Sequence, residues 1–462
     1  MKKFISVMLC VALLSLCAFA SAQSDKTPED VLNELYAQIA DKQVTIDIWT
    51  GPDWKGVYDA SEGGEYTDFL KAVAAGLTEK YPNITVNVEL IDGAVRAEKM
   101  SVAIASGTLP NMYYESDFAL GDYVHEGIMV PINDIITQSD YNDIPKAVFD
   151  GVSYGGNTYV FPFSAEVGMI GINRSLFEKA GALDKLPKAD EYGIGVWTPD
   201  EFADALRAVS KLDGVYPFGM YASNQSADSF TNMLLRMYGA KFVNDEGNAF
   251  AINSEEGVKA LQFVLDLKKE NLIAPGAETL SFGDVNSMFL NKQVAVIMTN
   301  NLNYNNVVAG LKDGSIEAPF DFMWAYFPST NDPYCLSYVK GGAIFDTGDP
   351  AEIIASKMFI RLMNTEPYLD ASKVLIPVRD SKYQQVLASG DAISAQAAAA
   401  LGRVVSITGR VPGYASIRPY FFPELQAALT GEKEAKSALD SFVANADQAV
   451  QAAISHSVIL NP

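Results

Sequence analysis

Val44-Thr45-Ile46-Asp47-Ile48-Trp49 and Ile84-Thr85-Val86-Asn87-Val88-Glu89-Leu90 decide how the chain is read. Both alternate apolar and polar side chains, the pattern of a strand with one buried face. Between them Phe69, Val73 and Leu77 recur on one helical face, and Pro82 stops that helix. Strand, helix and strand in this order make a β-α-β unit, and such units build parallel sheets. The loop from Thr50 to Gly64, between the first strand and the helix, is rich in Gly, Asp and Trp.

Working outward, residues 23–43 are polar and helical in tendency, a leader onto the first strand. A helix near 93–106 ends at Gly107, and Met112-Tyr113-Tyr114 is a short strand. Pro131 to Ile136 carries a turn into a helix, and Thr158–Phe163 and Val167–Ile172 read as two strands. Thr198-Pro199-Asp200-Glu201 predicts a capping box with proline at the first helical position, followed by a buried face of Phe202, Leu206 and Val209. Ser254 caps a helix that turns Val258, Leu261 and Leu265 inward. Val294 to Thr299 is apolar almost throughout, as a buried strand should be. The C-terminal third is mostly helical and alanine-rich, with no internal repeat and no long linker. The fold class expected is α/β.

With 462 residues, two to four domains or lobes are expected. A chain that is 49% hydrophobic and 20% charged has ample material for a core, which excludes disorder. The formal net charge of −23 repels phosphate backbones and anionic lipid, so no nucleic-acid partner is expected. Lys2 and Lys3, the apolar run Ile5–Leu16 and Ala20-Ser21-Ala22 read as a signal peptide over residues 1–22, which implies export to the periplasm. Lipidation at Cys17, tethering the protein to the membrane, is the alternative, although Leu16 is bulky for that signal. Cys10 and Cys17 lie inside the signal, so Cys335 stands alone and no intramolecular disulfide is expected.

Most catalytic motifs fail on context. Gly151-Val152-Ser153-Tyr154-Gly155 matches a nucleophile elbow, but no clear strand precedes it and only His456 follows as a partner base. A hairpin turn between Tyr154 and Tyr159 is the simpler reading. His125 and His456 are the only histidines, too few for a histidine-rich zinc site. Asn244-Asp245-Glu246-Gly247-Asn248 lacks the spacing of a calcium loop, and no Walker-type loop is present. Neither metal nor cofactor is expected. A secreted glycosidase would need only two suitably spaced carboxylates, and these are abundant.

Aromatic and amide side chains gather in expected loops. Trp49 and Trp54 flank the first strand–helix loop, and Asn300, Asn301, Asn303 and Tyr304 follow the Val294 strand. Tyr414 and Tyr420 surround Arg418 in a Pro/Gly-broken stretch, while Glu115 and Asp117 follow the strand at Met112. Flat aromatic faces with amides and carboxylates suit a sugar, which has apolar C–H faces and a rim of hydroxyls. Trp197 and Trp324 read instead as core.

An ordered series of short motifs then becomes informative. It runs from Leu77-Thr78-Glu79-Lys80-Tyr81-Pro82-Asn83 through Ala105-Ser106-Gly107-Thr108-Leu109-Pro110-Asn111 and Val130-Pro131-Ile132-Asn133-Asp134. It continues with Tyr159-Val160-Phe161-Pro162-Phe163-Ser164-Ala165-Glu166, Ile172-Asn173-Arg174-Ser175-Leu176-Phe177 and Trp197-Thr198-Pro199-Asp200-Glu201-Phe202. It closes with Phe289-Leu290-Asn291-Lys292-Gln293-Val294-Ala295-Val296, Gly341-Gly342 and Leu375-Ile376-Pro377-Val378-Arg379. In order and spacing this resembles the family 1 extracellular solute-binding proteins of ABC importers, the group that includes maltose-binding protein, over nearly all of residues 42–455. The chain departs from many sugar binders at Asn301-Leu302-Asn303, where they carry a glycine-tryptophan pair, and at Ala343, where they carry a tryptophan.

The resemblance implies a two-lobe periplasmic binding protein fold of type II, with two α/β lobes around a ligand cleft. Residues 23–165 with 300–343 would form the N-terminal lobe, and 166–299 with 344–462 the C-terminal lobe. Three hinge crossings would fall near 163–168, 297–301 and 342–346. The implied function is capture of a mono- or oligosaccharide by hinge closure and delivery to the permease subunits of an ABC transporter, by a monomer that is not an enzyme. A polyol or glycerol phosphate is the alternative ligand, and an anion would call on Arg96, Arg379 or Arg418. A sensory binding protein or a secreted glycosidase are the alternative functions. The candidate ligand-binding residues are Trp49, Trp54, Glu115, Asp117, Glu166, Asn300, Asn303, Tyr304, Gly341, Gly342, Tyr414 and Arg418. Of these Glu166 matches a place where relatives commonly hold an acid that accepts hydrogen bonds from sugar hydroxyls.

Overall fold

The computed structural model describes residues 26–461 except 55–56, 58–64, 92–94, 225, 246–247 and 406–410. The signal-peptide reading, with Cys10, Cys17 and Ala20-Ser21-Ala22, therefore lies outside the described residues, as do Glu246 and Gly247 of the faint calcium loop.

The elements that position the site run in chain order as α1 (Pro28–Tyr36), β1 (Val44–Thr50), α2 (Asp68–Lys80), β2 (Ile84–Leu90), α3 (Arg96–Ser106), β3 (Met112–Ser116), α4 (Asp117–His125) and β4 (Val160–Asn173). They continue as α5 (Pro199–Val209), β5 (Tyr216–Gly219), α6 (Ala227–Leu235), α7 (Glu255–Lys269), β6 (Val294–Asn300), α8 (Asn301–Asp313), β7 (Phe322–Ala325), β8 (Leu336–Ile344), α9 (Pro350–Met363), α10 (Tyr414–Thr430) and α11 (Ala435–His456).

The chain forms two compact units. Among the described residues, the first gathers those up to Leu120, Ile128–Ser164 and Val339–Tyr383; the second gathers Gly121–Gly127, Ala165–Tyr338 and those from Gln384 on. In the first unit β1 pairs in parallel with β2 from Val44↔Ile84 to Thr50↔Leu90, and with β3 from Ile48↔Met112 to Thr50↔Tyr114. β8 closes against β3 in antiparallel register, with Gly341 opposite Glu115 and Gly342 opposite Tyr114. In the second unit β4 is flanked by β6 and β7, both antiparallel, and β6 pairs in parallel with β5.

Local chemistry accounts for these elements. Thr198 caps α5 as its spacing predicts: its side chain accepts from the Glu201 amide and Glu201 bonds back to the cap. Ser254 accepts from the Gly257 amide at the start of α7. α3 ends at Gly107 with φ 68°, a left-handed conformation that a side chain would strain. The stretch at Gly151–Gly155 is the hairpin expected of it, Ser153-Tyr154 pairing with Asn157-Thr158 through glycines of positive φ. Trp197 and Trp324 are both buried, and the Trp197 indole donates to the Tyr326 carbonyl at 2.9 Å.

Two sequence readings differ from the structure. The strands expected at 158–163 and 167–172 are one continuous strand, β4, buried at all 14 positions. The chain also changes unit at 164/165, 338/339 and 383/384, besides the short excursion at 121–127. Residues 300–338, read from the sequence as part of the first lobe, cluster with the second unit, and residues 344–383 cluster with the first. Near 297–301 there is no change of unit, because β6 is held by strands of the second unit on both sides and α8 starts directly at its end.

Candidate functional site

In open parallel sheets, ligands are taken up outside the carboxyl ends of the strands. In the first unit those ends carry Trp49 and Thr50 on β1 and Glu115 and Ser116 on β3, with Asp117 opening α4. Glu115 is buried, accepts from the amide and hydroxyl of Ser116 at 2.8 and 3.0 Å, and forms an ion pair with Arg96. Burial pushes its carboxyl up, but Arg96 and Lys340 outweigh burial and hold it below the usual carboxylate range. Lys340 in turn is paired to Asp53 at 2.8 Å, and the Asp117 carboxylate accepts from the Val339 amide at 3.0 Å. Trp49 meets Tyr113 edge-on at 6.2 Å, with the Lys99 ammonium 4.4 Å above its ring.

Trp54 is 0% exposed. Its ring packs on Phe69, Tyr114 and Phe163 at centroid distances of 4.6, 4.8 and 5.8 Å, so it is a core side chain of the first unit. Gly341 and Gly342 also have a packing reason. A Cβ on Gly341 would lie 2.1 Å from the Phe161 carbonyl oxygen, and one on Gly342 would meet Met112 and Ile360 at 2.9 Å.

The second unit carries a buried polar group set. Glu166, 8% exposed on β4, accepts a hydrogen bond from the Asn300 amide at the end of β6, and Asn301 accepts from the Val167 amide at 3.0 Å. Asp228 on α6 accepts from the Tyr414 hydroxyl at 2.9 Å and from Arg418 Nε and Nη2 at 2.7 and 3.0 Å. Ser229 adds its amide and hydroxyl to the same carboxylate. Burial lowers the Arg418 pKa, but Asp228 outweighs it and raises the pKa above the usual guanidinium range. Tyr338 bonds to Ser229 and lies within electrostatic range of Asp228, Arg418 and Glu166, which brings the predicted Arg418 and Glu166 into one neighbourhood. Asn303 on α8 is buried, and neither atom of its amide has a partner among the described residues. Tyr304 packs on Phe322 and donates to Asp391 at 3.0 Å, while Tyr420 is exposed.

Sequence reasoning offered Tyr414 and Arg418 as candidates but not Asp228, which binds both, nor Asp53, Lys340 and Tyr338. Isolated acids in helices and loops carry no spacing signal. Their roles come from contacts far apart in sequence.

The sequence model of the bacterial extracellular solute-binding protein family matches residues 63–368. Among solved structures, an ABC transporter solute-binding protein of Thermotoga lettingae bound with alpha-D-tagatose superposes with a TM-score of 0.72 at 21% identity, covering 88% of this chain and 99% of that one. An ABC substrate-binding protein of Listeria monocytogenes in complex with cycloalternan gives 0.70 at 19% identity, with the same coverage. These likenesses define the class: a two-lobe α/β fold of the periplasmic binding-protein kind. The chain belongs to the bacterial extracellular solute-binding protein family. A binding protein of Brucella abortus strain 2308 is 24% identical over 243 residues, 52% of this chain and 56% of that protein, so the chain spans about half the length of the curated relatives it matches.

Proposed function

We propose that this protein is the extracytoplasmic substrate-binding component of an ABC importer and that its ligand is a neutral carbohydrate, a mono- or oligosaccharide. Family membership supports the importer role, and the two solved neighbours were captured with a monosaccharide and a cyclic oligosaccharide. The observation that carries the neutral ligand is charge pairing. Each arginine that could have received an anion already faces carboxylate: Arg96 faces Glu115, Arg418 faces Asp228, and Arg379 faces Asp143 and the Asp140 it shares with Arg361. What remains is a set of acceptors and amides suited to hydroxyl donors. A polyol fits the same chemistry; glycerol phosphate does not.

Membership of a family of binding proteins supports reading the protein as a binder without catalysis. The reading includes export through the N-terminal signal, a periplasmic or membrane-tethered location, a monomeric state, and hinge closure in which bound ligand favours one arrangement of the lobes. Delivery is to permease subunits.

A thermal-shift screen tests it, with mono- and oligosaccharides, polyols and glycerol phosphate as arms. A ligand at ~100 times its Kd adds roughly 2.7 kcal/mol. A neutral sugar should raise the melting temperature and glycerol phosphate should not. Stabilisation by glycerol phosphate alone refutes the neutral ligand, and release of shortened sugars by the pure protein refutes the non-enzymatic reading.

A further inference from the structure

The last turn of α4 meets the end of α11 at a contact that the ligand reading does not use. The buried His125 ring places Nδ1 2.7 Å from Ser457 Oγ, and the His125 carbonyl accepts from the Val458 amide at 2.9 Å. Gly127, at φ 75°, leaves room for Val458, whose side chain would lie 3.1 Å from any Cβ there. Residues 457–461 fold into a closed turn, with the Asn461 amide bonded to the Ser457 carbonyl at 2.9 Å.

The direction of the His125–Ser457 bond follows from counting protons. Ser457 Oγ already accepts from two amides, Ile459 at 3.3 Å and Leu460 at 3.1 Å. A hydroxyl has two lone pairs and one proton. With both lone pairs engaged, the proton points to His125, whose Nδ1 must be bare. The imidazole is then neutral, with its proton on Nε2. A second proton on Nδ1 would face a hydroxyl that has nothing left to accept it.

We propose that His125 and Ser457 form a proton-sensitive clasp, in which acidification protonates the imidazole and releases residues 457–461 from the end of α4. A pocket of about 290 Å³ beside the contact gives water access to it. The titratable groups facing His125 from the elements around that pocket are Asp122 and Glu126 on α4 and His456 on α11; α10 contributes Ser416 and no charge. Asp122 is engaged by the Gly413 and Tyr414 amides at 2.7 and 3.0 Å. Burial, and then the Asp122 carboxylate, raises Glu126 above its ordinary range, so it stabilises a positive His125 less than a fully ionised carboxylate would. Burial also holds His125 below the ordinary imidazole value. Protons thus bind the open form more readily than the closed one. The clasp is closed above the ordinary imidazole range and opens as pH falls below it.

Hydrogen exchange of the full chain, followed in the peptide that contains residues 457–461 and corrected for intrinsic rates, tests this. Protection should fall about tenfold between about pH 7.5 and about pH 5. His125→Gln keeps an acceptor that does not titrate, so its protection should stay high at both. Ser457→Ala should be unprotected at both. Protection that is independent of pH in the parent chain overturns the clasp. So does a pH response that survives His125→Gln, and Glu126→Gln then shows whether the neighbouring acid is responsible. Should His125→Gln fail to fold, nitrogen NMR of His456→Gln, which leaves His125 as the sole imidazole, reads the tautomer directly. A proton on Nδ1 at neutral pH refutes the proposal.

Discussion

Asp228→Asn is the perturbation that separates a structural carboxylate from a ligand-binding one. Asp228 is 1% exposed and takes five hydrogen bonds: two from Arg418, two from Ser229 and one from Tyr414. The Arg418 side chain is itself only 10% exposed, so it has little water to fall back on. Removing one partner of a buried ion pair costs about 3–5 kcal/mol, because the other charge is left uncompensated. Asparagine retains one acceptor oxygen, which places the expected loss near the lower end, about 3 kcal/mol. At about 2 °C per kcal/mol for a unit of this size, the apo melting temperature should fall by about 6 °C. Urea unfolding and thermal melts of the ligand-free protein measure it. Asp228→Leu with Arg418→Met should recover most of the loss, since an apolar pair carries no stranded charge. Apo stability within about 0.5 kcal/mol of the parent, combined with lost sugar binding, would refute the reasoning. Asp228 would then serve the ligand rather than Arg418, and the charge argument for a neutral ligand would lose its support.

Four further outcomes are expected. Glu166→Ala should weaken binding of the cognate sugar by about 10- to 150-fold in calorimetry while apo stability stays near the parent, the loss of about 1.5–3 kcal/mol that a bond to a charged acceptor carries; unchanged affinity assigns Glu166 to structure alone. Trp54→Ala should cost about 3–5 kcal/mol of apo stability from its aromatic cluster, whereas a mutant that melts normally would return Trp54 to the ligand set. Asp140, buried in the first unit, bonds Arg361 and Arg379 and is held at about 2 because the two guanidiniums outweigh burial. Its contribution is present above the ordinary carboxyl range and is lost as pH falls towards about 2, so the acid slope of urea midpoints should flatten in Asp140→Asn. Burial pushes the Cys335 thiol up to about 12, and it should escape alkylation by iodoacetamide in the native protein and react once urea is added, as peptide mapping reads.

The sequence exposed what repeats locally and hid what is assembled at a distance. The β1-α2-β2 unit was legible because its signals are periodic: alternation in two strands, a helical stripe between them, and Pro82 as the stop. The Thr198 cap was legible because both of its bonds span three residues. β4 reads as two strands because Ser164 and Glu166 set polar positions between its apolar runs, yet the strand runs through both and buries them. At Gly168 a Cβ would strike Leu336 and Phe230 at 2.8 Å, so the glycine answers to packing rather than to a turn. The site residues divide in the same way. Asn300 stands at the end of a strand that the pattern locates and Glu166 lies within β4, and the structure joins them. Trp54 went to the ligand set because a tryptophan in a Gly-rich loop looks exposed, and the Phe69, Tyr114 and Phe163 rings that bury it belong to three other elements. Arg418 shows the cost of reading charge without partners. Alone it reads as a candidate receptor for an anion; beside Asp228, 190 positions earlier in the chain, it is half of a neutral pair.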